Sequence, residues 1–493
     1  MKLKLTTIAI STALFLTGCN SSSNDDSGKT LPEEINQAKN VILMISDGAS
    51  DGTWDISSYW SHGQALNDTV PYSDIETRLA MTTFPLSHGQ IDCDEEQAEV
   101  GYDATKAWDE TIVDEQDGKY MRPFEGYSYI NKGATDSAAA GTALATGNKT
   151  FGGGISVNYC GQPLETISQV AKSTGRMTGI VTSVQFNHAT PAVFGANNIS
   201  RSNYTEIGKS MLTEGMADLL MGTGHPEYDG NGILRDTPDY RYITQGDWNM
   251  LKNDAMYSQG STIPWTLIDS KEQFEELANG RAPNDVLNGP LIGLAQNHST
   301  LQQGRSGCEA DALPFECEFL DNQPSLRTMT EGALNYLSQG EEGFFLMVEG
   351  GAVDWAAHAN DTTRIIEEQI DFNRSVQAVA DWVEENSSWE ETLLIVTTDH
   401  GNAYVLGETS DQNAYAPVEN PGKHQMPNVK YYSGDHTNEL VRLYVHGAGE
   451  QLINDYIVGN DEHYAESYNH TGSNGDYVDN THIFDLMKAV MTN

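Results

Sequence analysis

Residues 393–400 read LLIVTTDH, an unbroken apolar run that ends in Asp399 and His400. A run without polar alternation suits a strand covered on both faces, as in a parallel sheet flanked by helices. The pattern recurs upstream. VILMI at 41–45 runs into Ser46, Asp47 and Gly48, and FFLMV at 344–348 runs into Glu349, with Asp354, Trp355 and His358 close behind. Gly179–Thr182 and Leu440–Val445 read as further strands. Between them, Ile366, Ile370, Val376, Val379 and Val383 recur at spacings near three and four, which is one face of a helix. Strands alternating with helices predict a doubly wound α/β fold: a mainly parallel sheet with helices on both faces.

In an open α/β sheet the ligand crevice lies outside the carboxyl ends of the strands. Asp47, Glu349, Asp354, His358, Asp399 and His400 all follow strand-like runs, so they should converge. One Asp after a strand means little; three clusters, two of them with His, point to metal binding. A second element is GATDSAAAGTALATG at 133–147. Its small residues suit a tightly packed helix, with Ser137 in the first turn. There the free N–H groups and the positive dipole end favour an anion. A serine hydroxyl ionises too reluctantly to be a nucleophile unaided, and a bound metal can create the alkoxide. Taken alone, the motif fits equally well an N-terminal Ser on an Ala-rich helix.

Together these motifs resemble the alkaline phosphatase family, from about Asn40 to the THIFDLM run at 481–487. The resemblance implies that fold and a metal-dependent phosphomonoesterase working through a phosphoserine. Ser137 would be the nucleophile and Arg201, 13 residues after His188, the phosphate-gripping arginine, oriented by Asp136. Asp47, Asp399 and His400 would hold one Zn2+. Asp354, His358 and His436 would hold a second, and Asp47, Thr190 and Glu349 one Mg2+. Ala134 departs from the family's usual Ile or Val. His188 and Trp355 stand where the enterobacterial form has Asp and Lys; the pair is similar to marine Vibrio-type enzymes. The three ions would outweigh the carboxylates around them and leave the pocket locally positive. Two rivals remain: a diesterase of the same superfamily, and an inactive acidic metal-binding surface lipoprotein. No Cys- or Ser-x-Pro-x-Arg site for a sulfatase occurs.

The 493 residues carry 27 Lys and Arg against 71 Asp and Glu, a formal net charge of −44. Such a balance excludes nucleic acid as a partner and disfavours docking on an anionic bilayer. It reads as a solubility device suited to salt, with higher stability expected at molar NaCl. The N-terminus reads as an export address. Lys2 and Lys4 precede an apolar stretch too short to span a bilayer, and LTGC at 16–19 resembles a bacterial lipobox with Cys19 as the lipidated residue. Residues 1–19 would be signal peptide, 20–37 a polar tether and 38–493 the catalytic domain. The expected location is the periplasm or the outer membrane, held by the N-terminal lipid alone. A homodimer is implied by the family.

Four cysteines remain after Cys19, and the favoured pairing is Cys93 with Cys160 and Cys308 with Cys317. Two stretches, at about 86–130 and 225–265, read as insertions near the mouth of the site. The DGNG at 229–232 faintly suggests a calcium loop, but a plain turn explains it better. His62, His88, His225, His298, His424, His463 and His470 read as surface or loop histidines. His446 and His482 suit a core or site wall, and Trp60, Trp248, Trp265 and Trp382 suit packing.

Overall fold

The computed structural model describes residues 37–86, 93, 101–282, 284–309 and 311–492. Cys19, His88 and the proposed export segment lie outside them. The decisive apolar runs form the middle of an eleven-stranded sheet. In chain order its strands are β1 (Asn40–Ile45), β2 (Thr77–Thr82), β3 (Met177–Gln185), β4 (Leu219–Thr223), β5 (Thr266–Ile268), β6 (Leu291–Leu294), β7 (Phe344–Glu349), β8 (Thr392–Thr397), β9 (Val441–Gly447), β10 (Gly459–Asn460) and β11 (Asp476–Asp479). Across the sheet they run β10-β11-β2-β9-β8-β1-β7-β3-β4-β6-β5. The stretch from β8 to β5 is parallel throughout. The run around Leu440–Val445 does form a strand, β9, but it lies antiparallel to both β8 and β2.

Alternate side chains explain why these strands lack polar alternation. Val41, Leu43 and Ile45 join one buried cluster, together with Phe345, Met347, Leu393 and Ile395. Ile42 and Met44 join another, with Leu346, Val348, Leu394 and Val396. Successive strand residues point to opposite faces, so the sheet is apolar on both. Helices α1 (Asp51–His62), α2 (Ser137–Thr146), α3 (Ala189–Gly195), α4 (Ala352–His358), α5 (Thr362–Asn386) and α6 (Thr481–Thr492) supply much of the cover. Leu144, Phe194 and Met487 lie in the first cluster, and Trp54, Phe372 and Val376 in the second. Each such side chain contributes about 1.5–3 kcal/mol when fully buried.

The register places the chemistry. Ile45 at the end of β1 pairs with Glu349 of β7 on one side and Thr397 of β8 on the other. Three parallel neighbours therefore end level, and the residues just beyond them meet. Cys93 is bonded to Cys160, and Cys308 to Cys317. Asp229 is a turn residue: its Oδ1 accepts from Asn231 N (2.8 Å) and Ile233 N (2.9 Å). No helix among the described residues is long and apolar enough to cross a membrane.

Candidate metal centre and nucleophile

Asp47 leaves β1 and is fully buried. Gly48 follows with φ +67°, and a Cβ there would lie 2.6 Å from Asp354 Oδ1, so only glycine fits this turn. The Gly48 N–H instead donates to Asp399 Oδ1 (3.2 Å). Thr190 on α3 donates to Asp47 Oδ2 (3.4 Å) and Thr182 on β3 to Glu349 Oε2.

The histidines share one arrangement. Nδ1 of His400 faces Gly401 O (3.2 Å), that of His358 faces Gly434 O (3.0 Å), and that of His436 faces Thr135 O (2.7 Å). A backbone carbonyl thus accepts from each Nδ1, so that in the neutral ring each Nε2 offers its lone pair inward. His358 Nε2 and His436 Nε2 lie 3.1 Å apart, each 3.4 Å from an Asp354 oxygen. His400 Nε2 lies 3.2 Å from Asp399 Oδ2 and 3.6 Å from Asp47 Oδ1.

Close sets of possible donors are Asp47, Asp399 and His400; Asp354, His400 and His436; Asp47, His188 and Glu349; and His358, Asp435 and His436. The first coincides with the expected set. The second has His400 where His358 was expected; His358 falls instead with Asp435 and His436, though its Nε2 lies 3.4 Å from Asp354 and 3.1 Å from His436. In the third, His188 stands beside Asp47 and Glu349, with Thr190 reaching Asp47 as expected.

These residues suit cations. Asp47 Oδ1, Asp399 Oδ2 and Glu349 Oε1 are buried with no hydrogen-bond partner, a costly state unless a positive charge meets them. Burial, then the nearby Asp399, Asp354 and Glu349, push Asp47 well above the usual carboxylate range. Burial and Asp354 raise Asp399 to about 6, and burial lifts Glu349 to about 7. Burial and His436 hold His400 well below its ordinary value. Burial opposes protonation of His436, but the Asp354 carboxylate outweighs it and holds His436 at about 9. Carboxylates forced up beside a histidine forced down make a set that divalent ions would relieve.

Beside this centre, Asp136 caps α2, accepting from Ala139 N (3.1 Å) and from Gly153 N (3.0 Å). Ser137 is the first residue of α2, and its Oγ lies 3.2 Å from His400 Nε2. Arg201 Nη1 donates to Asp136 Oδ2 (2.9 Å), and Nη2 lies 3.3 Å from His188 Nε2. Burial and Arg201 pull His188 down to about 3, so its neutral ring accepts from the guanidinium. Trp355 packs edge-on against His188, with centroids 5.9 Å apart.

A cleft of about 850 Å³ opens outside, walled by Asp136, His358 and His436 and by Lys119, Tyr120 and Arg122. The last three belong to the ribbon formed by Ile112–Asp117 and Tyr120–Phe124. Sequence reasoning missed Asn402, whose Nδ2 donates to Asp354 Oδ1 (2.6 Å). Its position two residues after His400 was the available signal. Three histidines depart from the surface reading. His225 is fully buried against Trp248, His298 is buried with its Nδ1 3.3 Å from His225 O, and His470 meets the buried Asp55 at 2.9 Å. Each sits in a connecting segment whose polar neighbours disguised the packing.

Residues 38–483 match the sequence model of a family described as "Alkaline phosphatase". Alkaline phosphatase 4 of Bacillus subtilis is 33% identical over 290 residues, covering 57% of this chain and 52% of that protein. Alkaline phosphatase 3 of the same organism is 25% identical over 421 residues, covering 84% and 72%. The chain thus spans about half the length of the first relative. The solved alkaline phosphatase from the Antarctic bacterium TAB5 shares the fold, with a TM-score of 0.58 at 19% identity over 92% of this chain and 98% of that one.

Proposed function

The chain belongs to the alkaline phosphatase family, and on that footing we propose that it is an extracytoplasmic phosphomonoesterase working through a phosphoserine at Ser137. The observation that carries this reading is the placement of Ser137 Oγ. It sits at a helix N-terminus, 3.2 Å from His400 Nε2, beside an arginine already pinned by Asp136.

Asp47, Asp399 and His400 would hold one zinc, Asp354, His358 and His436 the second, and Asp47, Thr190 and Glu349 a magnesium. When bound, the metals supply Lewis acidity that eases ionisation of the serine hydroxyl and of water and offsets charge on the phosphoryl oxygens. Arg201 presents two N–H groups to two phosphoryl oxygens in its planar fork, and Asp136 fixes the direction of that fork. Ser137 Oγ attacks phosphorus in line as the bond to the alcohol oxygen breaks. Water then attacks the same phosphorus, and the Ser137 Oγ–P bond breaks to release inorganic phosphate. Two in-line displacements retain configuration.

Every group named addresses the phosphoryl end, so a broad range of small monoesters fits. A diester would set its second ester group against Arg201, which favours monoesters. The export signal and Cys19 suit a lipid-anchored protein, testable by radiolabelled palmitate incorporation and its loss in Cys19→Ser. The central test is Ser137→Ala assayed with p-nitrophenyl phosphate. Turnover should collapse while bound zinc persists; near-normal turnover would remove Ser137 from its role.

A further inference from the structure

A second cleft, of about 420 Å³, lies where α1 ends, and the fifteen described residues that line it include Arg327, Arg374, Lys423, His62 and His424 but no Asp or Glu. That lining runs against the composition. With 71 acidic residues among 493, about two would be expected among fifteen, and with 27 Lys and Arg, about one. Arg327 is paired with Glu331 (2.8 Å). Arg374 and Lys423 enter no ion pair among the described residues. Both are exposed, so their charge is available to solvent.

The cleft is also built. Phe315 has φ +69° and His424 φ +58°, a left-handed backbone that bulky side chains adopt only when the surroundings impose it. The Phe315 N–H donates to Glu367 Oε1 (2.8 Å), and Glu367 is clamped in the interior by Arg305 (2.9 Å) and Arg364 (2.7 Å). The Cys308–Cys317 bond closes the loop that carries Phe315. At the end of this scaffold Phe315 remains 39% exposed, with the Arg374 guanidinium 5.6 Å from its ring centroid. In the same lining, the His424 N–H donates to Trp60 O (2.9 Å), and the His424 ring stacks on Trp60 at 5.8 Å. Two aromatic residues on left-handed backbone thus line the same cleft as two cations that enter no ion pair among the described residues.

We propose that this cleft is a second anion-binding site that takes an oxyanion carried on a flat ring. The ring would lie on Phe315 and His424, and the oxyanion would meet Arg374 and Lys423. The site is separate from the metal centre, since α1 begins just beyond Asp47 and runs about 18 Å to the cleft.

The probe is 1-naphthalenesulfonate, which has no ester bond for a phosphatase to cleave. Binding is measured by equilibrium dialysis against the metal-loaded protein at low ionic strength. One mole per chain should bind. Arg374→Gln and Lys423→Gln should each weaken binding about threefold, and the double variant about tenfold, with hydrolysis of p-nitrophenyl phosphate unchanged. Neutral 2-naphthol should bind far more weakly, and inorganic phosphate at inhibitory concentration should leave the sulfonate in place. Unchanged affinity in the double variant, equal binding of 2-naphthol, or displacement by phosphate would each overturn the proposal.

Discussion

Stripping the metals should make the stability of this protein fall as pH rises from about 6.5 to 9. In the metal-free fold Asp354 holds His436 at about 9, against an ordinary value of 6.5. The folded state then keeps a proton that the unfolded chain has lost. That contribution is complete below 6.5 and disappears as pH climbs through 9; its size is roughly 3 kcal/mol. Glu349, lifted by burial to about 7, acts in the same direction and adds roughly 1 kcal/mol over this window. His188 and His400 are held down and act oppositely, but their opposition fades within about one pH unit above 6.5, as the unfolded rings lose their protons. The rest of the window, up to 9, is free of it. With metals bound, the inward Nε2 and carboxylate oxygens are occupied and their proton uptake is gone, so the slope should shrink to what Glu368, lifted by burial to about 8 away from the centre, still supplies. The assay is urea unfolding followed by tryptophan fluorescence at constant ionic strength, on chelated and on zinc- and magnesium-reloaded protein. A chelated protein whose midpoint stays flat or rises between pH 6.5 and 9 would refute the electrostatic account of the centre.

Other substitutions and conditions probe separate links. Gly48→Ala places a methyl group against Asp354 at a positive φ; it should cost about 1 kcal/mol or more and lower bound zinc, read by elemental analysis, and full zinc content would argue against the close approach. Asp136→Asn loosens the hold on Arg201, so KM for p-nitrophenyl phosphate should rise by about tenfold with a smaller change in kcat; an unchanged KM would count against this role. Arg442→Met leaves the buried Asp51 without its cation and Asp55 with His470 alone and should cost about 3–5 kcal/mol in urea unfolding, whereas a loss below about 1 kcal/mol would contradict it. With a net charge of −44, molar NaCl should raise the thermal midpoint through screening; a fall on adding salt would reject that reading.

The fold was legible because its centre lacks alternation. Val41–Ile45, Phe344–Val348 and Leu393–Thr397 are apolar at successive positions, and only a sheet covered on both faces accommodates that. Once those strands are taken as parallel, Asp47, Glu349 and Asp399 must share one edge. Register then adds what sequence withholds: β1 lies between β7 and β8, although about 300 residues separate it from β7 and about 350 from β8. The orientation of β9 was not legible, because an antiparallel strand inside a buried sheet carries the same apolar run as a parallel one.

What stayed hidden depends on contacts without a local signature. His225 lies in a polar loop, yet Trp248 and Tyr228 close over it from the same long crossover. Asn402 supports Asp354 from 48 positions away. The inward direction of three histidines depends on carbonyls of Thr135, Gly401 and Gly434, which any residue type would provide. Side-chain identity therefore names the candidates for the centre, and backbone geometry decides which lone pair each one offers. The same division governs the cleft beside Trp60. Arg374, Lys423 and Phe315 are unremarked as single letters, and they become a site only when a left-handed turn and a buried Glu367 bring the ring of Phe315 over the guanidinium.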